Sequence, residues 1–283
     1  MNQNTSTELT ALRIALIGGG NMARGLIGGL LGRGLSPARI TVAEPVASAR
    51  EALVRDFGIG VTGDNAAAVT AAQVVVLAVK PQQMASVARA LSPHLAHRPL
   101  VISVAAGIRA ADLSRWLGAG IPVVRAMPNR PALTGAGATG LYADASVDSA
   151  QRARATAVLG ATGLCTWVND EACLDTVTAL SGSGPAYFFL LAELMAQSAI
   201  AQGLDAATAQ ALAAQTLAGA GQLVAAEHTP DLARMRAEVT SKGGTTEAAL
   251  NTFATGNLAA LVDAAMNAAA LRSRELAEQF GSD

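Results

Sequence analysis

The chain has 283 residues, enough to bury a substantial core in one large domain or two smaller ones, and two are expected. Twenty Lys and Arg stand against 21 Asp and Glu, so no broad field of one sign is offered to nucleic acid or anionic lipid, and a small-molecule partner is the natural reading. Hydrophobic residues make up 51% but aromatics only 3%, which suits closely approaching alanine-rich helices better than stacking platforms for bases.

The opening MNQNTSTELT lacks the basic start and apolar run of a secretory signal, and no later apolar stretch reaches the roughly 18–20 residues of a membrane span. A cytoplasmic protein without a membrane partner is expected. RIALI (13–17) is the first β-branched run; it enters a glycine loop and then a helical stretch over 21–31. RITVA (39–43) leads to a helix over 47–57, and VVVLAV (74–79) leads past Pro81 to a helix ending near Leu91. LVISV (100–104) and PVVRA (122–126) are two further strands. A run such as VVVLAV, apolar on both faces, marks a strand covered by helices on both sides, and the alternation predicts a doubly wound parallel sheet, an α/β domain. GAGATGLYA (135–143), a helix over 148–159 and CTWV (165–168) extend that sheet.

Near residue 172 the pattern changes, which divides the chain into a dinucleotide-binding domain over 1–171 and an all-α domain over 172–283. From Asp175 on the sequence reads as helix, broken at SGSGP (181–185), at Gly203, around 228–230 and at SKGG (241–244). Leu190, Leu191, Leu194 and Ile200 sit among small residues, so these helices are apolar nearly all round. A domain of this size has too little interior to hide them all, and an obligate homo-oligomer built from this half is expected.

Gly18, Gly20 and Ala23 form G-x-G-x-x-A directly after the first strand and at the start of a helix. The first glycine permits the tight turn, the second lets backbone approach a pyrophosphate, and the small third residue lets the helix pack on its strand, as in a Rossmann-type dinucleotide site. Glu44 ends the second strand, where a carboxylate accepts from a ribose 2′-hydroxyl and favours NAD over NADP; Arg50 nearby leaves a 2′-phosphate open. Cys165 and Cys173 show no metal-ligand spacing and are read as two reduced packing thiols, and His94, His97 and His228 fit no metal pattern, so no metal is expected.

VTSKGGTTEAALN (239–251) sets Gly243 and Gly244 in otherwise helix-forming sequence, where each glycine costs about 1 kcal/mol relative to alanine. The break bares backbone N–H groups and the hydroxyls of Ser241, Thr245 and Thr246 at a helix start. Residue chemistry alone leaves two readings open, a carboxylate-binding turn and a plain helix–helix turn capped by the threonines.

Taken together, IGGGNMA (17–23), LAVKPQ (77–82), SVAAGI (103–108), RAMPN (125–129), TALSGSGPAYFF (178–189), VTSKGGTTEAAL (239–250) and AAALRSREL (268–276) resemble the pyrroline-5-carboxylate reductase family over about residues 12–277. The resemblance implies reduction of the ring imine of 1-pyrroline-5-carboxylate to L-proline, the final step of proline synthesis, with NADPH or NADH. It also implies a homodimer through the C-terminal helices, in some members assembled into a decamer. By the same analogy Ile17, Gly18, Gly19, Gly20, Asn21 and Met22 wrap the pyrophosphate, and Glu44 and Asn65 meet the adenosine ribose. Ala78, Val79, Lys80 and Pro81, with Val104, Ala105 and Ala106, line the nicotinamide side, and Asn129 lies nearby. Glu171, Ser241, Gly243, Gly244, Thr245 and Thr246 form the substrate end. The chain departs from the family pattern at Arg130, where threonine is usual, and at Lys242, where proline is usual; the second change adds a cation and loosens the turn.

Imine reduction asks little of side chains beyond positioning, which explains a site with no evident His, Cys or Asp catalyst. The Thr246 hydroxyl is the candidate catalytic hydrogen bond to the ring nitrogen. Lys80, before a proline at a strand end, is read as orienting cofactor or capping the sheet. SGSGP is open between a site role and close helix packing with Pro185 in the first helical turn. The rivals are a related imine reductase or 3-hydroxyacid dehydrogenase of this architecture, whose lysine would sit on a second-domain helix, and a non-catalytic dinucleotide-binding protein.

Overall fold

A computed structural model of the chain describes residues 9–281. They fall into two compact units: one runs to Ser183 and takes in the chain again from Ala269, and the other is Gly184–Ala268.

The first unit is built on eight strands: β1 (Ile14–Ile17), β2 (Ile40–Ala43), β3 (Gly60–Thr62), β4 (Val74–Leu77), β5 (Leu100–Ser103), β6 (Val123–Met127), β7 (Gly137–Tyr142) and β8 (Gly163–Trp167). They lie in the order β3-β2-β1-β4-β5-β6-β7-β8. Strands β1 to β6 are parallel, joined by α1 (Asn21–Gly32), α2 (Ala47–Phe57), α3 (Asn65–Val69), α4 (Pro81–Leu91) and α5 (Ala110–Leu117). The period of two explains the unbroken apolar runs. Val74 and Val76 of β4 join a core layer with Leu16, Ile102 and the α1 residues Leu26, Ile27 and Leu30, while Val75 and Leu77 join the opposite layer with Ile17, Val101, Met84 and Leu91. Each such side chain, fully buried, contributes about 1.5–3 kcal/mol.

The expected all-parallel sheet is corrected at its far edge. Strand β7 pairs antiparallel with β6, and β8 pairs parallel with β7, so the last two strands run against the first six. The connection between Met127 and Gly137 holds only a short 3-10 turn, Arg130–Thr134, too little chain for the crossover that a parallel neighbour requires. Helix α6 (Ser149–Leu159) then starts with a capping box: Asp148 accepts from Gln151 N, and the Gln151 side chain accepts from Asp148 N.

The expected division after residue 171 falls inside the first unit, because α7 (Cys173–Val177) packs on β7; a Cβ on Gly140 would lie 2.7 Å from Val177 Cγ1. The SGSGP stretch is no loop. Residues Thr178–Gly182 form a π-helical turn that runs through Ser183 into α8 (Gly184–Ala201).

The second unit holds α8, α9 (Ala206–Ala226), α10 (Leu232–Glu238), α11 (Thr245–Thr255) and the start of α12 (Leu258–Gly281). Asp205 and Asp231 cap α9 and α10 by accepting from backbone N–H groups. An unexpected break between α11 and α12 is made at Asn257, with φ +56°, a left-handed conformation that asparagine tolerates better than most residues. Helices α8 and α9 line a groove with Phe189, Ala196, Ile200, Ala213 and Leu217. Phe188, Leu190, Leu194 and Leu261 stand exposed, as the all-round apolar pattern predicts. Among the described residues no helix is long and apolar enough to cross a membrane.

Two adjacent glycines of α1 separate packing from propensity. A Cβ on Gly29 would lie 2.3 Å from the Ala161 carbonyl oxygen, whereas on Gly28 it would meet only Phe57 at 3.9 Å. Gly29→Ala should lose about 1–3 kcal/mol of stability by overpacking, and Gly28→Ala should gain about 0.5–1 kcal/mol, both read from urea denaturation.

Candidate functional site

The ends of β1, β2, β4 and β5 are tied to one another before any ligand is considered. Gly18 N donates to Ala43 O at 2.8 Å, Ala78 N to Ile17 O at 2.8 Å, and Val104 N to Leu77 O at 3.1 Å. Gly18 takes φ +99°, and a Cβ there would lie 2.7 Å from the Ala78 carbonyl oxygen, so the turn exists because the residue is glycine. Gly20 is the N-cap of α1; a Cβ on it would meet nothing within 4 Å. The helix start is therefore open, with the N–H groups of Asn21 and Met22 in positions that have no intrahelical acceptor. Ala23 is buried against the sheet, as the fingerprint requires.

Glu44 is held by its surroundings. Its Oε2 accepts from Gly19 N and its Oε1 from Val46 N, each at 3.0 Å. Gly19 N is thus committed to the strand-end carboxylate, not free for a phosphate. Arg50 Nη1 donates to the carbonyls of Glu44 and Pro45, at 2.8 and 2.9 Å, and so lies at the same rim. Asn65 opens α3 behind the Asp64 cap, and exposed Lys80 is the N-cap of α4 ahead of Pro81. Ala105 is buried, with its N–H 3.4 Å from Ser103 Oγ, and Val104 and Ala106 are half-buried beside it.

Two expected site residues act as braces. Asn129 is buried; its Nδ2 donates to Ser181 O at 3.0 Å and its Oδ1 accepts from Ala138 N at 2.9 Å, which ties the end of β6 to β7 and to the π-helical turn. Glu171 Oε1 accepts from Ala110 N at 2.7 Å and from Arg125 Nη1 at 3.1 Å. Arg125 was missed by the sequence reading, although a cation inside the apolar strand VVRAM has to find an anion; breaking such a pair costs about 3–5 kcal/mol. Cys165 packs against the core and burial pushes its thiol up to about 11, while Cys173, expected to pack, is exposed at the start of α7. His94, His97 and His228 are all exposed.

The helical unit carries the second cluster. Ser241 O accepts from Gly244 N at 3.0 Å, Gly243 takes φ +71°, and Gly244 is the N-cap of α11. A Cβ on Gly244 would lie 2.6 Å from Ser241 Oγ. The expectation that every N–H of this turn is bare needs correction: Gly243 N donates to Glu247 Oε2 at 2.7 Å, and Gly244 N is used in the turn. The N–H groups of Thr245 and Thr246 occupy the first two helical positions, which lack intrahelical acceptors. The residues expected on the dinucleotide side lie in the first unit, as do Asn129 and Glu171, and Ser241 to Thr246 lie in the second.

A family model described as "Pyrroline-5-carboxylate reductase dimerisation" matches residues 171–276, and one described as "NADP oxidoreductase coenzyme F420-dependent" matches residues 13–107. A pyrroline-5-carboxylate reductase of Pseudomonas aeruginosa is 50% identical over 269 residues, which cover 95% of this chain and 98% of that one. Among solved structures, a pyrroline-5-carboxylate reductase from Coxiella burnetii matches with a TM-score of 0.90 at 41% identity, over 94% of this chain and 98% of its own. The Plasmodium falciparum pyrroline carboxylate reductase with NADP bound matches with a TM-score of 0.79 over 95% and 99% of the two chains; at 23% identity this is a likeness of fold.

Gly18→Ala should raise the dissociation constants of both NADH and NADPH by about tenfold or more, measured by titration calorimetry, since a methyl group there meets the Ala78 backbone and a strained φ at once.

Proposed function

The chain belongs to the pyrroline-5-carboxylate reductase family, and from that premise we propose how its residues divide the work. It is an NAD(P)H-dependent oxidoreductase that reduces 1-pyrroline-5-carboxylate to L-proline in proline biosynthesis. The strand ends fit a dinucleotide, with a cradle closed to side chains at Gly18 and open at Gly20. Ile17, Gly18, Gly19, Gly20, Asn21 and Met22 would hold the pyrophosphate, with the donors at Asn21 and Met22. Glu44 and Asn65 would hold the adenosine ribose, Arg50 would offer donors to a 2′-phosphate, and Ala78 to Pro81 with Val104 to Ala106 would flank the nicotinamide, Asn129 bracing them. When bound, NAD(P)H supplies the hydride.

One observation carries the assignment of the substrate end. The turn at Gly243 already holds a carboxylate, that of Glu247, on a backbone N–H. The same donor, with those of Thr245 and Thr246, suits the carboxylate of a pyrroline acid. Ser241 and Gly244 shape the turn, and Lys242 adds a cation beside it. With the acid held, the Thr246 hydroxyl hydrogen-bonds the ring nitrogen and raises the electrophilicity of the C=N carbon. Orientation of two reactants is itself worth roughly 7–11 kcal/mol of barrier, so side chains need do little more than position, and the proton that the ring nitrogen gains as its carbon takes the hydride would come from solvent. In this reading Glu171 serves the substrate end through its brace to Arg125 and Ala110.

Within the region from 172 on, the helices of Gly184–Ala268 act as the substrate and dimerisation domain. The dimerisation family match over 171–276 and the exposed apolar faces of α8 and α12 support a homodimer through these helices, with a decamer as the higher assembly. The cytoplasm is the proposed compartment.

Oxidation of NADH or NADPH followed at 340 nm should require 1-pyrroline-5-carboxylate and not proceed without it, and 3-hydroxyacids should not reduce NAD or NADP; no turnover of the pyrroline overturns the assignment. Thr246→Ala should lower kcat/KM for the pyrroline by about tenfold or more with cofactor affinity unchanged, and unchanged turnover would remove the role given to the hydroxyl. Light scattering after size exclusion should return a multiple of the 28.4 kDa chain, and a clean monomer would count against the dimer.

A further inference from the structure

We propose that the end of α12 positions the nicotinamide, with Phe280 and Leu276 as positioning residues that act through the turn after β5. Val104 to Gly107 offers no side chain larger than valine, so this turn cannot brace itself. Gly107 is buried with φ +71°, and a Cβ there would lie 3.2 Å from Phe280 Cδ2 and 3.3 Å from Leu276 Cβ. The backbone of the turn is thus in direct contact with the two side chains. Phe280 also packs against the core layer that contains Ala105 and Ile108, on either side of that glycine.

The helix end is itself fixed on two sides. One anchor is a buried hydrogen bond, Ser273 Oγ to Asp175 Oδ1 at 2.7 Å, beside the buried Ala277. The other is at the tip, where Arg115 Nη2 donates to Gly281 O at 2.9 Å and Arg109 Nη2 lies 4.0 Å from Glu278 Oε1. Ala110 N, at the far end of the same turn, is held by Glu171. The contacts of the turn with α12 and its far end at Ala110 are therefore pinned, and close-packed interiors transmit such constraint. A turn held this way fixes the height and tilt of whatever lies on Val104 to Ala106. Displacing a reacting group by about 1 Å costs on the order of a hundredfold in rate, which makes the brace worth having.

This inference rests on the placement of Val104 to Ala106 at the nicotinamide side, and its test reads binding, so it stands apart from the assay of turnover. Dissociation constants of NADH and of ADP-ribose, which lacks the nicotinamide, are measured by titration calorimetry on the full chain. Phe280→Ala should weaken NADH by about tenfold while ADP-ribose stays within about twofold, and Phe280→Leu should restore most of the NADH affinity. A merely structural role would weaken both probes alike. Equal changes in the two, or no change in either, overturn the proposal, as does an unaltered protein that binds ADP-ribose as tightly as NADH. If Phe280→Ala does not fold, the comparison is made on Leu276→Val, and an NADH to ADP-ribose ratio unchanged there overturns it. Loss of pyrroline turnover in the unaltered protein would sink the proposed function and leave this comparison to be decided by its own numbers.

Discussion

The nucleotide side of this molecule depends on one backbone approach, that of Gly18 to the Ala78 carbonyl. With 2.7 Å between that oxygen and the place where a Cβ would stand, β1 and β4 end side by side with nothing between them. From this follow the sharp turn into α1, the open N-terminus at Gly20, and the alignment that lets Ala78 N reach Ile17 O and Val104 N reach Leu77 O. Four strand ends become one rim, and the rim lies where the order of strands reverses around β1 and β4, the place at which doubly wound sheets bind ligands.

Much of that half was legible because its signals are local. Period-two burial wrote VVVLAV as a strand covered on both faces, and G-x-G-x-x-A needs only six residues to declare its turn. What was hidden depends on partners far away in the chain. Arg125 and Glu171 are 46 residues apart and Ser273 and Asp175 are 98 apart; the cation in VVRAM calls for an anion, but nothing in either segment names the partner. The reversal at β7 could have been read, since nine residues between strands leave no room for a crossover helix. The return of α12 to the first unit could not, because Leu276 and Phe280 look like any apolar pair on a helix.

In the helical half the outcome is mixed in an instructive way. GGTT marked the turn, and the left-handed Gly243 shows why glycine stands there. In the sequence its N–H groups look vacant because Glu247 is indistinguishable from ordinary helix-forming residues. On the helix it sits at the third position, and its carboxylate reaches back past the N-cap Gly244 to the N–H of Gly243. SGSGP misled in the opposite sense: glycines and serines that usually end a helix instead widen it by a π turn, with Asn129 holding Ser181 O from outside.

The Glu247 contact changes what selectivity means at that turn. On the proposed placement of the substrate, an incoming acid would meet a donor already claimed by a tethered rival of the same chemistry, present at the high effective concentration of an intramolecular group. The affinity would then be a difference between two acids and not between an acid and water. Weak acceptors, such as an ester or an amide on an otherwise identical ring, would lose that contest, so discrimination would be gained through the resident's occupancy.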